Sequence, residues 1–167
     1  MCGPRTGQVP GRRPSPFRVA GVVVLLLVAT GCGAVDVPDT SVSASERKAC
    51  ESLVEALPDQ VADQSSQETS GNPLGAAWGD PAIVLRCGVG TPEGYDRFAA
   101  CQIVNGLDWF VPTSTIEDQD ADVVLTTIGR TPAVEVTVPA SYRPPNAVMV
   151  DVGRAIKQHT QVTRRCR

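Results

Sequence analysis

The chain holds one histidine, His159. A serine or cysteine hydrolase needs a base within reach of its nucleophile, and Asp151 is the carboxylate that would complete a dyad with it. No Gly-x-Ser-x-Gly elbow is present to supply the nucleophile. A lone histidine near a helix edge reads as a rim residue rather than as a general base. Paired carboxylates are the other route to acid–base chemistry, and Asp118, Asp120 and Asp122 form the densest cluster. That cluster reads as a solvated loop, since the glycine and distal glutamate of a calcium loop are missing at the required spacing. No catalytic residue is assigned.

Four residues are candidates for binding a ligand: Trp78, Arg86, Asp108 and Arg130. Trp78 stands beside Gly79 and Pro81 in a turn, where its ring could floor a pocket, whereas Trp109 lies mid-strand and reads as a core anchor. Arg86 falls opposite the Ile83, Leu85 and Cys87 face of its strand, and Arg130 sits at a hairpin. Each guanidinium can fork onto a carboxylate such as Asp108, or onto an anionic ligand of the cell envelope. The internal pair takes precedence of the two.

Six cysteines are present. Cys32 closes a segment in which Arg5, Arg12, Arg13 and Arg18 precede an unbroken apolar run, Val19 to Ala29, followed by Thr30 and Gly31. A positive n-region, a short h-region and small residues at the cut are the anatomy of a secretory signal peptide. The run is too short to cross a bilayer, which takes about 20 apolar residues. The cysteine at the cut resembles the lipobox of bacterial lipoproteins and points to Cys32 as the lipidated residue. Cleavage by ordinary signal peptidase is the alternative. Arg12-Arg13 hints at twin-arginine export, but Pro14 and Ser15 follow where that motif wants a hydrophobe. Cys2 leaves with the signal, so Cys50, Cys87, Cys101 and Cys166 remain, an even number suited to two disulfides in an oxidising compartment. No two of them have the close spacing of a structural zinc site, so neither a metal nor any other cofactor is expected.

The whole chain has 15 basic and 18 acidic residues. Four arginines and no acid lie in residues 1–31, which leaves eleven against eighteen, a net charge of about −7. Such a surface repels nucleic acid and anionic phospholipid alike, so no nucleic-acid partner is expected and membrane attachment must come from the lipid.

The elements that would position these residues follow from periodicity. Residues 32–43 are small, polar and broken by proline, a flexible tether. Ser43 and Glu46 form a capping box for a helix whose Cys50, Leu53, Val54 and Leu57 share one face until Pro58. Residues 59–77 read as a loop. Strands are expected around 82–88, 101–104, 108–111, 123–128 and 133–138, with Asn105-Gly106 as a hairpin turn. After Pro144-Pro145, Asn146 caps a last helix with Met149, Val152, Ile156 and His159 near one face, and Val162 and Cys166 continue at helical spacing. The expected fold is α+β: a single antiparallel sheet of four to five strands, with the N- and C-terminal helices packed on one face. Residues 1–31 would be the signal, 32–43 the tether and 44–167 one extracytoplasmic domain. An antiparallel return from the strand ending at Cys87 to the one beginning at Cys101 predicts the disulfide Cys87–Cys101, and packing both helices on one face predicts Cys50–Cys166.

Several pieces, taken in order, resemble a known family: the helix ending Leu57-Pro58, Ala77-Trp78-Gly79, the run from Val84 through Arg86-Cys87-Gly88 to Val89, Val104-Asn105-Gly106-Leu107-Asp108-Trp109, and Gly129-Arg130 ahead of Val134 to Pro139. The chain resembles the actinobacterial secreted and lipoprotein family catalogued as domain of unknown function 3515, over roughly residues 46 to 160. The resemblance implies a place in the envelope of a high-GC Gram-positive bacterium. It brings no activity and no catalytic residue.

The sequence therefore points to an extracytoplasmic lipoprotein held on the cytoplasmic membrane by its lipid, a binding or accessory module of the envelope with an envelope protein or the cell wall as partner. The rivals are a small envelope hydrolase or transferase acting through carboxylates, and a purely structural envelope component. Replacing Cys32 with Ser should release the protein from the membrane fraction or stall it as uncleaved precursor. Detergent phase partitioning of the variant identical to wild type would refute lipidation there.

Overall fold

A computed structural model describes residues 33–96 and 98–166; the expected signal segment, Cys2 and Cys32, the expected lipidation site, lie outside them. In chain order the elements are β1 (Val35–Val37), α1 (Ala44–Glu55), β2 (Gln60–Val61), β3 (Gln64–Gln67), β4 (Thr69–Gly71), β5 (Gly75–Trp78), β6 (Ile83–Val89), β7 (Cys101–Val104), β8 (Leu107–Phe110), α2 (Thr113–Glu117), β9 (Val123–Thr127), β10 (Arg130–Thr131), β11 (Ala133–Val138), α3 (Asn146–His159) and β12 (Gln161–Val162). A 3-10 turn covers Ala140–Tyr142.

The expected single sheet of four to five strands is wrong. Eight strands hydrogen-bond in the order β2-β3-β5-β6-β11-β9-β8-β7, every neighbouring pair antiparallel, and two further two-stranded sheets, β1-β4 and β10-β12, flank it. Most of the excess lies in residues 59–77, expected as a loop. The turn between β2 and β3 places Ala62 and Asp63 at φ 49° and 62°, a two-residue hairpin without the Asn-Gly signal. β3 is Gln64-Ser65-Ser66-Gln67, which has no apolar alternation to announce a strand.

Register decides what each face carries. Val136 lies opposite Leu85 on one side and Leu125 on the other, Val134 opposite Cys87, and Trp109 opposite Thr127. Alternation then puts Ile83, Leu85, Cys87, Leu107, Trp109, Val123, Leu125, Val134, Val136 and Val138 on one face, all buried. The helices cover that face and touch each other. α1 contributes Cys50 and Leu53, and α3 contributes Val148, Met149, Val152 and Ile156. At the start of β11 the register shifts, and the Val134 N–H freed from the ladder donates to Thr127 Oγ1 at 2.9 Å. The polar threonine in the core face is thereby explained.

α1 starts as its sequence dictates. Ser43 Oγ accepts from Glu46 N, and the Glu46 carboxylate accepts from Ser43 N at 2.9 Å and from its hydroxyl at 2.6 Å. These bonds, hydroxyl first, hold Glu46 below the ordinary glutamate pKa. α3 departs from expectation at both ends. Asn146 is its first residue rather than a side-chain cap, and the helix stops at His159. β12 and an irregular tail follow, so Val162 and Cys166 do not extend its stripe. Part of the expected tether is also bound to the domain: β1 pairs in parallel with β4 and Val37 is buried, while Thr40 Oγ1 donates to Cys87 O. Among the described residues no helix is long and apolar enough to cross a membrane.

All four expected cysteines are bridged, but not as predicted. The disulfides are Cys50–Cys87 and Cys101–Cys166, in place of Cys50–Cys166 and Cys87–Cys101. Cys87 points into the helix-covered face, directly at α1. Cys101 lies opposite Phe110 on the other face, where the tail, having left the helical path, brings Cys166. Closing loops with sequence separations of 37 and 65 stabilises by about 4 kcal/mol each in the chain-entropy account.

Two glycines test the packing in opposite directions. A Cβ on Gly153 in α3 would meet only Leu107 Cδ1 at 3.5 Å, so Gly153→Ala should raise the unfolding free energy by about 0.5–1 kcal/mol. Gly88 has φ +84° and its Cβ would collide with Val42 Cγ1, so Gly88→Ala should lower it by about 2 kcal/mol. Urea unfolding of the two variants checks both signs.

Candidate functional site

β8 is buried on both faces. Leu107 and Trp109 face the helices; Asp108 and Phe110 face the other way and are covered by the loop after β6 and by the tail. Asp108 is 4% exposed, and a buried carboxylate must be paired. Its Oδ2 accepts from Cys166 N at 2.9 Å, and Arg165 Nη1 lies 3.8 Å from Oδ1 while donating to Gly106 O at 2.8 Å. The tail is held a second time where Thr163 N and Arg164 N donate to Gly129 O at 2.8 and 3.3 Å. Gly129 has φ +68°, and its missing Cβ would overlap the Arg164 carbonyl. The Cys101–Cys166 disulfide fixes the tail a third time.

On this clamped face the Tyr95 ring meets Phe110 edge-on, with centroids 5.3 Å apart at 73°, and the Arg164 guanidinium lies 5.9 Å from the Tyr95 centroid. Such aromatic and cation–π contacts each contribute about 0.5–1 kcal/mol at exposed sites. A cleft opens on either side of that stack. The larger, of about 880 Å³, has Phe98, Ala100, Phe110, Val111 and Ile116 in its wall and Glu93 and Asp96 along it. The smaller, of about 490 Å³, is polar, with Thr91, Thr131, Thr163, Arg130 and Arg164 facing Glu46 at the start of α1.

A family model described as protein of unknown function (DUF3515) matches residues 17–164. The chain belongs to that family. No curated protein and no solved structure matches it.

The DUF3515 fold separates the four residues singled out for ligand binding. Trp78 is 1% exposed and donates from Nε1 to Pro58 O at 3.0 Å; it anchors the core and lines only a separate depression of about 300 Å³ between the end of α1 and β5. Arg86 reaches its cross-strand neighbour Glu135, with Nη2 and Nε at 2.5 and 3.2 Å from Oε1, so its internal partner is not Asp108. Arg130 donates from Nε to Thr160 Oγ1 at 2.6 Å, and from Nη2 to Thr160 O at 2.7 Å and Lys157 O at 3.3 Å. It thereby caps the C-terminus of α3, where a cation suits the helix dipole. Burial, then the nearby Arg165, lower the Arg130 pKa, and Asp108 acts against them. Asp108 and Arg130 therefore share one neighbourhood, while Trp78 and Arg86 lie elsewhere. Trp109 is buried as expected, its Nε1 without a partner among the described residues.

The residues weighed for catalysis are apart or engaged. Asp151 Oδ2 accepts from Ala62 N at 2.8 Å, and eight residues of α3 put His159 about 12 Å further along the axis. Asp118 accepts from Asp120 N, and Asp122 from Ala140 N. Among the described residues no group of three or more His, Cys, Asp or Glu is placed to hold a metal ion. Tyr95 and Arg164, which divide the two clefts, carried no signal in the sequence. Tyr95 sits in a turn-rich loop and Arg164 in a stretch expected to be helical.

Removing the Asp108 carboxylate leaves the Cys166 N–H unpaired and Arg165 without its carboxylate. Asp108→Ala should therefore cost about 2 kcal/mol of stability and speed reduction of Cys101–Cys166 relative to Cys50–Cys87. Unfolding curves and timed alkylation with peptide mapping read the two effects.

Proposed function

We propose that this DUF3515 protein is a membrane-anchored extracytoplasmic lipoprotein serving as a binding module of the cell envelope. The family match begins at residue 17, so the matched stretch takes in the apolar run and Cys32. Two disulfides among the four remaining cysteines suit an oxidising compartment. The reading of the domain as a binder rests on one observation: two open clefts lie on either side of the Arg164–Tyr95–Phe110 stack, the larger on the sheet face turned away from the helices and the smaller at the strand ends beside the start of α1. A loop and a tail tied down by Asp108, Gly129 and a disulfide form their walls. Clefts of 300–1,000 Å³ with apolar walls and a few placed polar groups are the usual form of small-ligand sites. Holding those walls before a ligand arrives lowers the ordering cost of binding.

The lipoprotein extracted from its native membrane in mild detergent should carry a bound small molecule in native mass spectrometry. Filling one cleft with Ala100→Trp or the other with Thr131→Trp should remove it from one variant, with disulfides and circular dichroism unchanged. A wild-type protein free of bound mass, or a mass retained by both variants, would overturn the reading.

A further inference from the structure

We infer that the smaller cleft, between the loop after β6, the β9–β10 turn and the tail, binds an oxyanion, the carboxylate or phosphate of a small ligand, gripped by Arg164 and the hydroxyls of Thr91, Thr131 and Thr163. The assignment rests on the binding-module reading and names the chemistry of one of its clefts.

Charge is the first argument. The chain is acidic, with a net charge of −3 that becomes about −7 once residues 1–31 are set aside. Yet Arg130 and Arg164 both line this cleft, and the neighbouring buried carboxylate, Asp108, already has its oxygens turned to Cys166 N and Arg165. Burial first, and then the nearby Arg165, disfavour the Arg130 cation, with Asp108 acting against them. The one acid lining the cleft, Glu46, is engaged by Ser43 through its amide and hydroxyl. An incoming anion would relieve this imbalance.

Division of labour is the second. Arg130 has Nε and Nη2 tied to the end of α3, so it supplies fixed positive charge rather than a grip. Arg164 is different: among the described residues no carboxylate pairs with it, and its guanidinium lies over the Tyr95 ring. A guanidinium lying over an aromatic ring keeps its N–H edge directed outward, the edge that takes an oxyanion in a fork. Threonine hydroxyls from three separate segments (residues 91, 131 and 163) line the same cleft and can donate to the remaining oxygens.

The test uses the mature lipoprotein in detergent micelles, labelled with ¹⁵N and titrated with sodium phosphate, sodium acetate or sodium chloride at equal ionic strength. Phosphate or acetate should shift the amides of Thr91, Thr131, Thr163 and Arg164 saturably, and chloride should not. Phosphate acting alone indicates a phosphoryl ligand, and acetate acting as well or instead indicates a carboxylate. Arg164→Gln should weaken the effective anion about tenfold, the effect of losing one charge-assisted contact. Arg164→Lys, which keeps the charge and loses the fork, should fall between. Equal shifts in chloride, no saturable shift, or unchanged affinity in Arg164→Gln would overturn the assignment. If both anions fail while Thr131→Trp still strips the native bound mass, the oxyanion falls and the binding-module reading stands.

Discussion

The carboxylate of Asp108 is shut away on the side of the sheet opposite the helices, and that burial constrains everything built on this side. An ionised group removed from water is tolerated only with hydrogen bonds and opposite charge around it. Here those come from the tail, through Cys166 N and Arg165. The tail must therefore cross β8 at one place, which brings Cys166 to Cys101 and Arg164 to Tyr95. Tyr95 in turn rests on Phe110, the next outward-facing residue along β8. One buried charge thus sets the path of a segment that has no regular structure of its own beyond β12.

The two faces of the sheet divide their tasks. The helix-covered face is apolar and closed, with its polar exceptions satisfied locally, as where Thr127 takes up the Val134 amide at the bulge. The opposite face is held by polar and covalent contacts: Arg86 on Glu135, Asp108 on the tail, Cys101 on Cys166. Such a face can stay open to solvent, since its rigidity does not come from being packed over.

Local pattern made much of this legible. Cys50, Leu53 and Val54 share a helical face, Ala133 to Val138 alternates, and Asn105-Gly106 takes positive φ at both positions of its turn, 50° and 77°. Ala62-Asp63 makes a turn of the same kind with residues that do not advertise it, and β3 is a strand through its neighbours rather than its composition. The disulfide pairing failed for a related reason. It depended on α3 running on to Cys166, whereas the helix ends where the Thr160 hydroxyl turns back to Ile156 O and Arg130 arrives from a distant hairpin. At the site, Asp108 and Arg130 stood out as charges placed in a strand and a turn. Tyr95 and Arg164 acquire meaning only from each other.

The disulfides draw two covalent rings along the chain, 50–87 and 101–166, which neither overlap nor share a residue. A protease cutting once inside either ring would leave the molecule in one piece. Residues 88–100 belong to neither. Beyond the end of β6 they include the exposed Phe98, at 80%, and a single cut there leaves two chains with no covalent link. Only non-covalent contacts would then join them, chief among them the ladder between β6 and β11 at the middle of the sheet. The loop that walls both clefts is thus also the one covalent isthmus between the halves of the domain.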